Sequence, residues 1–387
     1  MPDPRSPDPL SPDLLDRIRS RAAAHDRDNT FPHDDLADLA GAGYLRALVP
    51  AGFGGLGLSL TDVVRSQAAL AGAAPATALA VGMHLIWTGV ARTLWDAGDP
   101  SLEFVLRDAG AGEIFAFAIS EAGNDLSLFG STTVAEPMPD GAYAFTGTKI
   151  FTSLSPVFTR LATFGLDSVS PDAPKLVHAV LERDDERIVS LADWDTVGMR
   201  ATQSHTTRLE RARAEPSRVH RRLDAGPSAD PLVVAIFQNF EILVSAVYVG
   251  IAERALDLAV LAARSRVSAR SGLSKDADPA TRRRVAVAAL EIDAVRPRLE
   301  SLARDVESSA DHGDQWFRAL VGLKLAATTA ARAVVGEAIT VAGGAAFASD
   351  HELSRLYRDV LAGGFHPSND DAALSTVATA VLGPPPT

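Results

Sequence analysis

The sequence predicts an α+β protein, mostly α, in which two helical regions flank one β region. From Leu14 to about Gly110, and again from Asp230 onward, apolar residues recur at three- and four-residue steps, the spacing of buried helix faces. From about Glu113 to Leu223, short alternating runs are separated by Gly, Pro and Asp turns, which is typical of strands. We therefore expect one change from helix to strand and one change back.

The domain boundaries are placed where these patterns change. The predicted units are a disordered tail over 1–12, an N-terminal α domain over 13–112, a middle β domain over 113–225 and a C-terminal helical domain over 226–387. The tail is predicted because residues 1–12 are rich in Pro, Asp and Ser, which do not bury enough apolar surface to order a chain.

The N-terminal domain contains a helix that we expect to begin at Asp34 or Asp35 and to stop at Gly41. Between Arg65 and Arg92 the chain has 26 residues without a formal charge. Glycine, proline and many alanines make this stretch too weakly apolar to span a bilayer, so it predicts buried helices of a large helical domain and no membrane segment.

The elements of the other two domains are read from their periodicity. The predicted strands include Phe115–Ile119, Tyr143–Phe145, Val177–Leu181 and Thr206–Leu209. A long helix follows Asp230, with a buried face formed by Phe237, Phe240, Val244, Val247 and Ile251.

Composition excludes several classes of function. The chain has 387 residues and a net charge of −12, which argues against binding the phosphates of nucleic acids; Arg282–Arg284 is read as a solvated helix face. The absence of cysteine excludes disulfides and thiolate chemistry. No targeting segment is recognised, so we expect a cytoplasmic protein.

Two motifs predict no site. Gly52–Gly57 matches the dinucleotide-binding pattern G-x-G-x-x-G, but no acidic residue occurs between Asp62 and Asp96, where that fold needs one, so it is read as a glycine-rich loop. The nine histidines never stand at i, i+4 spacing, so no metal site is predicted.

Several segments together resemble the acyl-CoA dehydrogenase family. They occur in the family's order and cover most of the chain: Pro50–Leu58, Phe117–Asp125, Gly147–Ser153, Trp194–Ser204, and Gly343-Gly344 followed by Arg355–Asp359. The resemblance implies an N-terminal helical domain, a middle β-barrel domain and a C-terminal four-helix bundle. It also implies FAD between the β domain and the bundle, with FMN as an alternative, in a homodimer or homotetramer.

The resemblance assigns four residues to the flavin ring. Ser120 stands for a threonine that hydrogen-bonds the ring, and Ser153 stands for a threonine at flavin N5. Both retain a hydroxyl that can donate and accept. Phe151 stands for a tryptophan that covers the ring face, and Phe117 for a tyrosine or similar aromatic.

At the dinucleotide end the resemblance is weaker. Arg266 is the match for an arginine that reaches across the subunit interface, Thr340 stands where a glutamine faces the adenine pocket, and Gly343 and Gly344 match a glycine pair. These departures leave open whether FAD, FMN or a transiently bound reduced flavin is the cofactor.

The family's catalytic glutamate is missing, because Pro367 stands at its position. Its alternative position aligns with Phe240, next to Glu241. One residue along a helix is a rotation of about 100°, so Glu241 is expected to point elsewhere, and it stays a candidate displaced base. The oxygen-using branch of the family, which includes dibenzothiophene monooxygenase and aminosugar N-hydroxylases, also lacks the glutamate and places histidine and serine at the flavin.

In that branch's pattern, His366 and Ser153 would supply the histidine and the serine, and His84 is a second candidate histidine. An imidazole can hold or move a proton near neutral pH. We therefore expect a flavin-dependent oxidoreductase, leaning to monooxygenase chemistry on a small organic or tethered substrate, with a flavin reductase as partner. The alternatives are an acyl-thioester dehydrogenase with a substituted base, coupled to an electron-transfer flavoprotein, and a non-catalytic flavoprotein.

Overall fold

The structure is a computed structural model that describes residues 8–124, 126–169, 173–183, 186–269 and 271–383. Its helices are α1 Pro12–Asp28, α2 His33–Gly41, α3 Leu60–Ala73, α4 Pro75–Asp96, α5 Glu103–Gly110, α6 Pro231–Ser265, α7 Pro279–Glu307, α8 Gln315–Ala342, α9 Glu352–Asp359 and α10 Asp370–Leu382. Its strands are β1 Phe115–Ala118, β2 Val134–Pro137, β3 Tyr143–Thr152, β4 Arg160–Asp167, β5 Lys175–Glu182, β6 Ile188–Ser190, β7 His205–Ala214 and β8 Val219–Asp224. The α+β class with a helical majority is as predicted.

The N-terminal segment is ordered earlier than predicted. Leu10 is only 3% exposed, and the Ser11 hydroxyl caps α1 by accepting from the Leu14 N–H at 3.3 Å. The predicted tail over 1–12 is therefore wrong for Leu10 and Ser11, because an apolar side chain and a capping hydroxyl anchor them, whereas 1–7 lie outside the described residues. Helix α2 begins at His33, one or two residues before the predicted start, and ends at Gly41 as predicted.

The middle domain is an eight-stranded sheet with the order β6-β7-β3-β2-β4-β5-β8, and β1 pairs in parallel with β4. Among the described residues this path ends at β6 and β8, and β5 contacts β7 although the two are not neighbours in the path, so the sheet curls as in the barrel-like domain that the family resemblance implied. The four predicted runs lie in β1, β3, β5 and β7, apart from Ile119, which follows β1.

The C-terminal domain is built around α6, which packs against α8, α7, α3 and α4. Asp230 caps α6 by accepting from the Leu232 N–H at 2.9 Å, which confirms the predicted start. Helices α6 and α8 are long and apolar enough to cross a membrane, but 89% of the most apolar window of α6 is buried inside the protein. Since burial in a core explains its composition, α6 is a core helix that joins the helical domains.

The three domains meet at a single junction that positions the site. Gly198 lies against the carbonyl of Arg358, where an added Cβ would come within 2.2 Å of that oxygen. The next residue, Met199, donates its N–H to Asp359 Oδ1 at 2.6 Å, and Arg358 Nη2 contacts Asp26 of α1 at 2.6 Å. Only glycine fits at position 198. The contacts of this junction therefore account for Gly198–Arg200 and for Arg358-Asp359, which belong to two of the family-like segments.

Candidate functional site

Two adjoining cavities lie between the β sheet and the helices. Their volumes are about 400 and 350 Å³, and we call them the first and the second cavity. Six residues line both: Phe117, Ser120, Phe151, Phe240, Phe365 and Pro367. The predicted ring-binding residues Phe117, Ser120 and Phe151 line both cavities, and Ser153 lines the first.

The end of β3 presents an aromatic ring to this space. Phe151 has a φ of +59° and is 49% exposed, which is unusual for a large apolar side chain. Its ring lies edge-on to Trp194, with the centroids 6.1 Å apart. A strained backbone that holds an aromatic face open is typical of a ligand site.

Ser153 begins a chain of hydroxyl groups. Its Oγ lies 2.7 Å from Ser204 Oγ, which lies 2.7 Å from Thr202 Oγ1, and Thr202 donates to the Met199 carbonyl at 2.8 Å. These groups are buried, and Ser153, Ser204 and Thr202 all line the first cavity. This row of hydrogen-bonded hydroxyl groups fixes the position of the Ser153 hydroxyl and leaves it able to form a hydrogen bond with a ligand.

Ser120 is positioned by a buried ion pair next to it. Glu121 and Lys149 have fully buried side chains, and Lys149 Nζ lies 2.6 Å from Glu121 Oε1. The Glu121 carboxylate also accepts from the N–H groups of Thr132 and Thr133 at 2.6 and 3.1 Å. This pair ties β3 to the segment between β1 and β2.

The electrostatics of that pair favour the charged form of both partners. Burial opposes ionisation of Glu121, but the Lys149 charge and the hydrogen bonds hold its pKa at about 2. Burial lowers the pKa of Lys149 to about 8, which leaves the ammonium charged at neutral pH. The pair is therefore structural, and it supports the ring-facing residues.

The boundary between the two cavities is aromatic. The rings of Phe117 and Phe240 stack with centroids 5.2 Å apart and an interplanar angle of 26°. Phe240 stands at the alternative position of the family's glutamate, so no carboxylate is present there. A flat ligand would find apolar surface on this side and Phe151 on the other.

His366 lines the first cavity and is held by a tyrosine. Its Nε2 lies 2.7 Å from the hydroxyl of the buried Tyr248. Burial, followed by the charge of Lys324, lowers the pKa of His366 to about 3, so the imidazole is neutral. Burial also raises the pKa of Tyr248 well above its ordinary value, which keeps the phenol protonated. Among the described residues, His366 Nδ1 makes no hydrogen bond.

Glu241 lies at the wall of the second cavity, so the expectation that it points elsewhere is wrong. Its Oε1 accepts from the Ser368 N–H at 3.4 Å, and its Oε2 has no partner among the described residues. The nearby Lys324 ammonium instead donates to the carbonyls of His366, at 3.0 Å, and Ser368. Glu241 does lie on a different face of α6 from Phe240, as helix geometry requires. The loop that contains Ser368 packs over that face.

The other predicted histidine, His84, does not line either cavity. Its Nε2 donates to the Leu45 carbonyl at 2.7 Å, and its Nδ1 accepts from the Phe115 N–H at 3.1 Å. Burial lowers its pKa to about 4. With both ring nitrogens bonded to backbone, His84 links α4 to β1, and we withdraw it as a catalytic candidate.

The residues predicted for the dinucleotide end lie apart from the cavities. Arg266 donates to the carbonyl of Ala342 at the end of α8, and Thr340 Oγ1 donates to the Gly336 carbonyl at 3.0 Å. Gly343 has a φ of +70° and lies directly against the Arg266 guanidinium. Arg266 and Gly343 therefore lie together at the end of α8, where Thr340 and Gly344 also stand, and none of these four residues lines either cavity.

Sequence reasoning missed several residues of the site. Tyr248 stands seven residues after Glu241, so both lie on one face of α6, and two polar residues at that spacing in an apolar helix are a readable signal. Lys324 is a single charge within an apolar stretch of α8, which is a second such signal. Ser204 and Trp194 lie within a segment that the resemblance already covered.

Family models match both ends of the chain. The acyl-CoA dehydrogenase N-terminal domain matches residues 14–102 and the acyl-CoA dehydrogenase C-terminal domain matches 242–371. L-evernosamine nitrososynthase of a Micromonospora species is 31% identical over 91% of this chain and 84% of its own length. The chain belongs to the acyl-CoA dehydrogenase family.

Individual relatives show which members of the family the chain is similar to. KijD3, solved with FMN and dTDP-3-amino-2,3,6-trideoxy-4-keto-3-methyl-D-glucose, is 30% identical with a TM-score of 0.85 over 99% of this chain and 95% of its own. The putative acyl-CoA dehydrogenase YdbM of Bacillus subtilis is 28% identical over 94% and 93%. Dibenzothiophene monooxygenase of Mycolicibacterium goodii is 26% identical over 84% and 82%.

These relatives confirm the predicted family and its oxygen-using branch. The predicted cofactor, FAD or FMN, agrees with KijD3, which was solved with FMN and a small sugar nucleotide.

Asp125, the last residue of the family-like segment Phe117–Asp125, lies outside the described residues.

Proposed function

We propose that this protein is a flavin-dependent monooxygenase that oxidises a small organic molecule in the joined cavities. The observation that carries the proposal is the pair at 366 and 367: the family's carboxylate position is Pro367, and the residue before it is a neutral imidazole that lines the first cavity. Proton abstraction next to a thioester needs a positioned base, and its loss costs about 10² to 10⁴ in rate. The nitrososynthase relatives support the oxygen-using alternative.

The residues of the first cavity fit a flavin ring. Phe151 offers an exposed aromatic face, Phe117 and Phe240 form an apolar wall, and Ser153 supplies a hydroxyl whose position is fixed by Ser204. A bound reduced flavin supplies the electrons that activate O₂. The aromatic walls would exclude water from the reacting atoms, and the Ser153 hydroxyl would orient the ring.

His366 is the proposed proton-handling group. Tyr248 holds Nε2, and if the phenol donates, the neutral imidazole carries its proton on Nδ1. In that tautomer, Nδ1–H can donate to an oxygen atom in the first cavity and can recover the proton later. The tyrosine fixes the orientation of the ring, so we assign Tyr248 as a positioning residue.

The partner and the assembly are proposed from the same arrangement. Because the reaction consumes a reduced flavin, a separate flavin reductase is the expected partner. We propose a cytoplasmic homo-oligomer in which Arg266 and the glycines after α8 face a neighbouring subunit, since they lie apart from the cavities of their own chain. Light scattering of the purified protein tests the oligomer.

The proposed function is tested with FMN- or FAD-loaded protein and a flavin reductase under ¹⁸O₂. The expected result is incorporation of labelled oxygen into one member of a panel of amines, indole and thiophenes. His366→Asn should lower that rate about 10²- to 10⁴-fold, while His312→Asn, on the loop before α8 and bonded to Asp305, should not. Rapid anaerobic bleaching of bound FAD by acyl thioesters, abolished by Glu241→Gln, would support the dehydrogenase with a displaced base instead.

A further inference from the structure

We propose that Glu241 selects the substrate by binding a cationic amine on an apolar body. This inference rests on the proposed function and names the substrate class of the same site. The proposal begins from an unmet interaction: the residue is 1% exposed, and its Oε2 has no hydrogen-bond partner among the described residues. Burial without a partner raises the pKa of Glu241, and a cationic amine that meets Oε2 stabilises the ionised carboxylate, so binding of the amine releases the carboxyl proton.

The neighbouring cation does not meet this carboxylate. Lys324 uses its ammonium on the carbonyls of His366 and Ser368 and forms no ion pair with Glu241 among the described residues. The Ser368 N–H contact at 3.4 Å is long. Lys324 lowers the electrostatic cost of ionising Glu241 from a distance, and it leaves the carboxylate oxygen available.

The second cavity determines the body of the ligand. Its walls are mainly apolar and aromatic and include Ile119, Ile236, Phe237 and Phe240. The polar residues of its lining include Asn124, Asn369 and Glu121, and Glu121 is already paired with Lys149. The cavity volume of about 350 Å³ suits a compact organic group. A charged head beside Glu241 and an apolar body between these rings is the chemistry that this cavity recognises.

The location of Glu241 allows its carboxylate to accept a proton from the bound amine. The second cavity shares Phe117, Phe151 and Phe240 with the first, so an amine held at Glu241 is adjacent to the proposed flavin ring. Oxidation at nitrogen requires the lone pair of the neutral amine. Transfer of one proton breaks an N–H bond of the ammonium and forms an O–H bond on Glu241, with no change of oxidation state.

The test uses FMN-loaded protein and two matched probes, benzylamine and benzyl alcohol, with binding measured by calorimetry just above pH 8, because burial raises the pKa of Glu241 to about 8. The wild type is expected to bind benzylamine about tenfold or more tightly than the alcohol, because a charge-assisted hydrogen bond contributes that much. Glu241→Gln should remove this preference and leave the affinity for the alcohol unchanged. The matched control is Glu291→Gln on the exposed face of α7, which should change neither affinity.

Glu241→Asp guards against a folding artefact. It keeps the charge on a shorter side chain, so it should retain a preference for the amine that Glu241→Gln loses, while melting curves report folding of each variant. Equal preference for benzylamine in the wild type and Glu241→Gln overturns the proposal, as does an absence of any preference. The proposed function fails separately, if the protein takes up no flavin or produces no labelled product while the preference persists.

Discussion

The protein contains two buried glutamates with a nearby buried lysine, and the two arrangements differ in how completely they are bonded. Glu121 is paired with Lys149 at 2.6 Å and surrounded by backbone and hydroxyl donors. Glu241 has one long contact, and Lys324 bonds elsewhere. Both glutamates line the second cavity, so the difference lies in their bonding: Glu121 is fully bonded and supports the structure, whereas Glu241 keeps an unbonded carboxylate oxygen.

The pKa values move in opposite directions for this reason. Hydrogen bonds and the Lys149 charge lower the pKa of Glu121, whereas burial raises the pKa of Glu241. The two histidines repeat the contrast. His84 has backbone partners on both ring nitrogens, whereas His366 has Tyr248 on one side and the first cavity on the other. A buried polar group whose hydrogen bonds are all made has a structural role. A buried polar group that lacks a partner and lies beside a cavity is a candidate site residue.

The largest expected effect is on the fully bonded pair. Lys149→Met leaves the Glu121 carboxylate buried without its counter-charge, so the free energy of unfolding should fall by about 3–5 kcal/mol. Urea denaturation measures the change. Lys175→Met, which removes an exposed ion pair with Asp224, is the matched control and should cost less than about 1 kcal/mol. If both variants lost a similarly small amount of stability, the buried Glu121–Lys149 pair would stabilise the fold no more than an exposed ion pair does.

The next effect separates the histidines. His84→Ala leaves the Phe115 N–H and the Leu45 carbonyl without partners, so it should lower the free energy of unfolding by about 1–3 kcal/mol. FMN affinity of the folded fraction should not change, because His84 does not line either cavity. Denaturation and an FMN titration give the two readouts. Loss of FMN binding with unchanged stability would return His84 to the list of site residues.

Much of the fold was predictable because it depends on local chemistry. Asp230 caps α6 as its sequence position indicated, and the predicted run Val177–Leu181 lies in β5, where its residues are buried on both faces of the strand. Phe151 lies in an irregularity of the β3–β7 pairing between Lys149 and Thr152, and Ser153 directly follows the strand, so both side chains are carried to the cavity by the end of β3. Leu10 and Ser11 were mispredicted, since Leu10 is held by tertiary packing that no local pattern shows.

The site was less predictable where it depends on contacts between distant segments. The position of Glu241 on α6 followed from helix geometry, but its environment depends on the loop at 366–368, more than 120 residues later. The partners of His84 and His366 are likewise distant in sequence, at Phe115 and Tyr248. The role of each histidine therefore depends on tertiary contacts, which distinguish the structural one from the site candidate.

The pH dependence of stability tests the sign of the contrast between the glutamates. A raised pKa means that folded Glu241 keeps its proton above pH 4.5, where the unfolded chain has released it, so its contribution to stability is lost as pH rises from that value. Glu241→Gln removes this loss, and its stability relative to the wild type should rise by up to about 1.4 kcal/mol per pH unit above pH 4.5. Glu121, with its lowered pKa, contributes stability that is lost as pH falls from 4.5 toward about 2, so Glu121→Gln should show the opposite trend, confined to that acid range. Urea denaturation between pH 3 and 7.5 measures both, with Glu291→Gln as the control. A pH-independent difference for Glu241→Gln would mean that another group satisfies this carboxylate, and the contrast between the two glutamates would no longer hold.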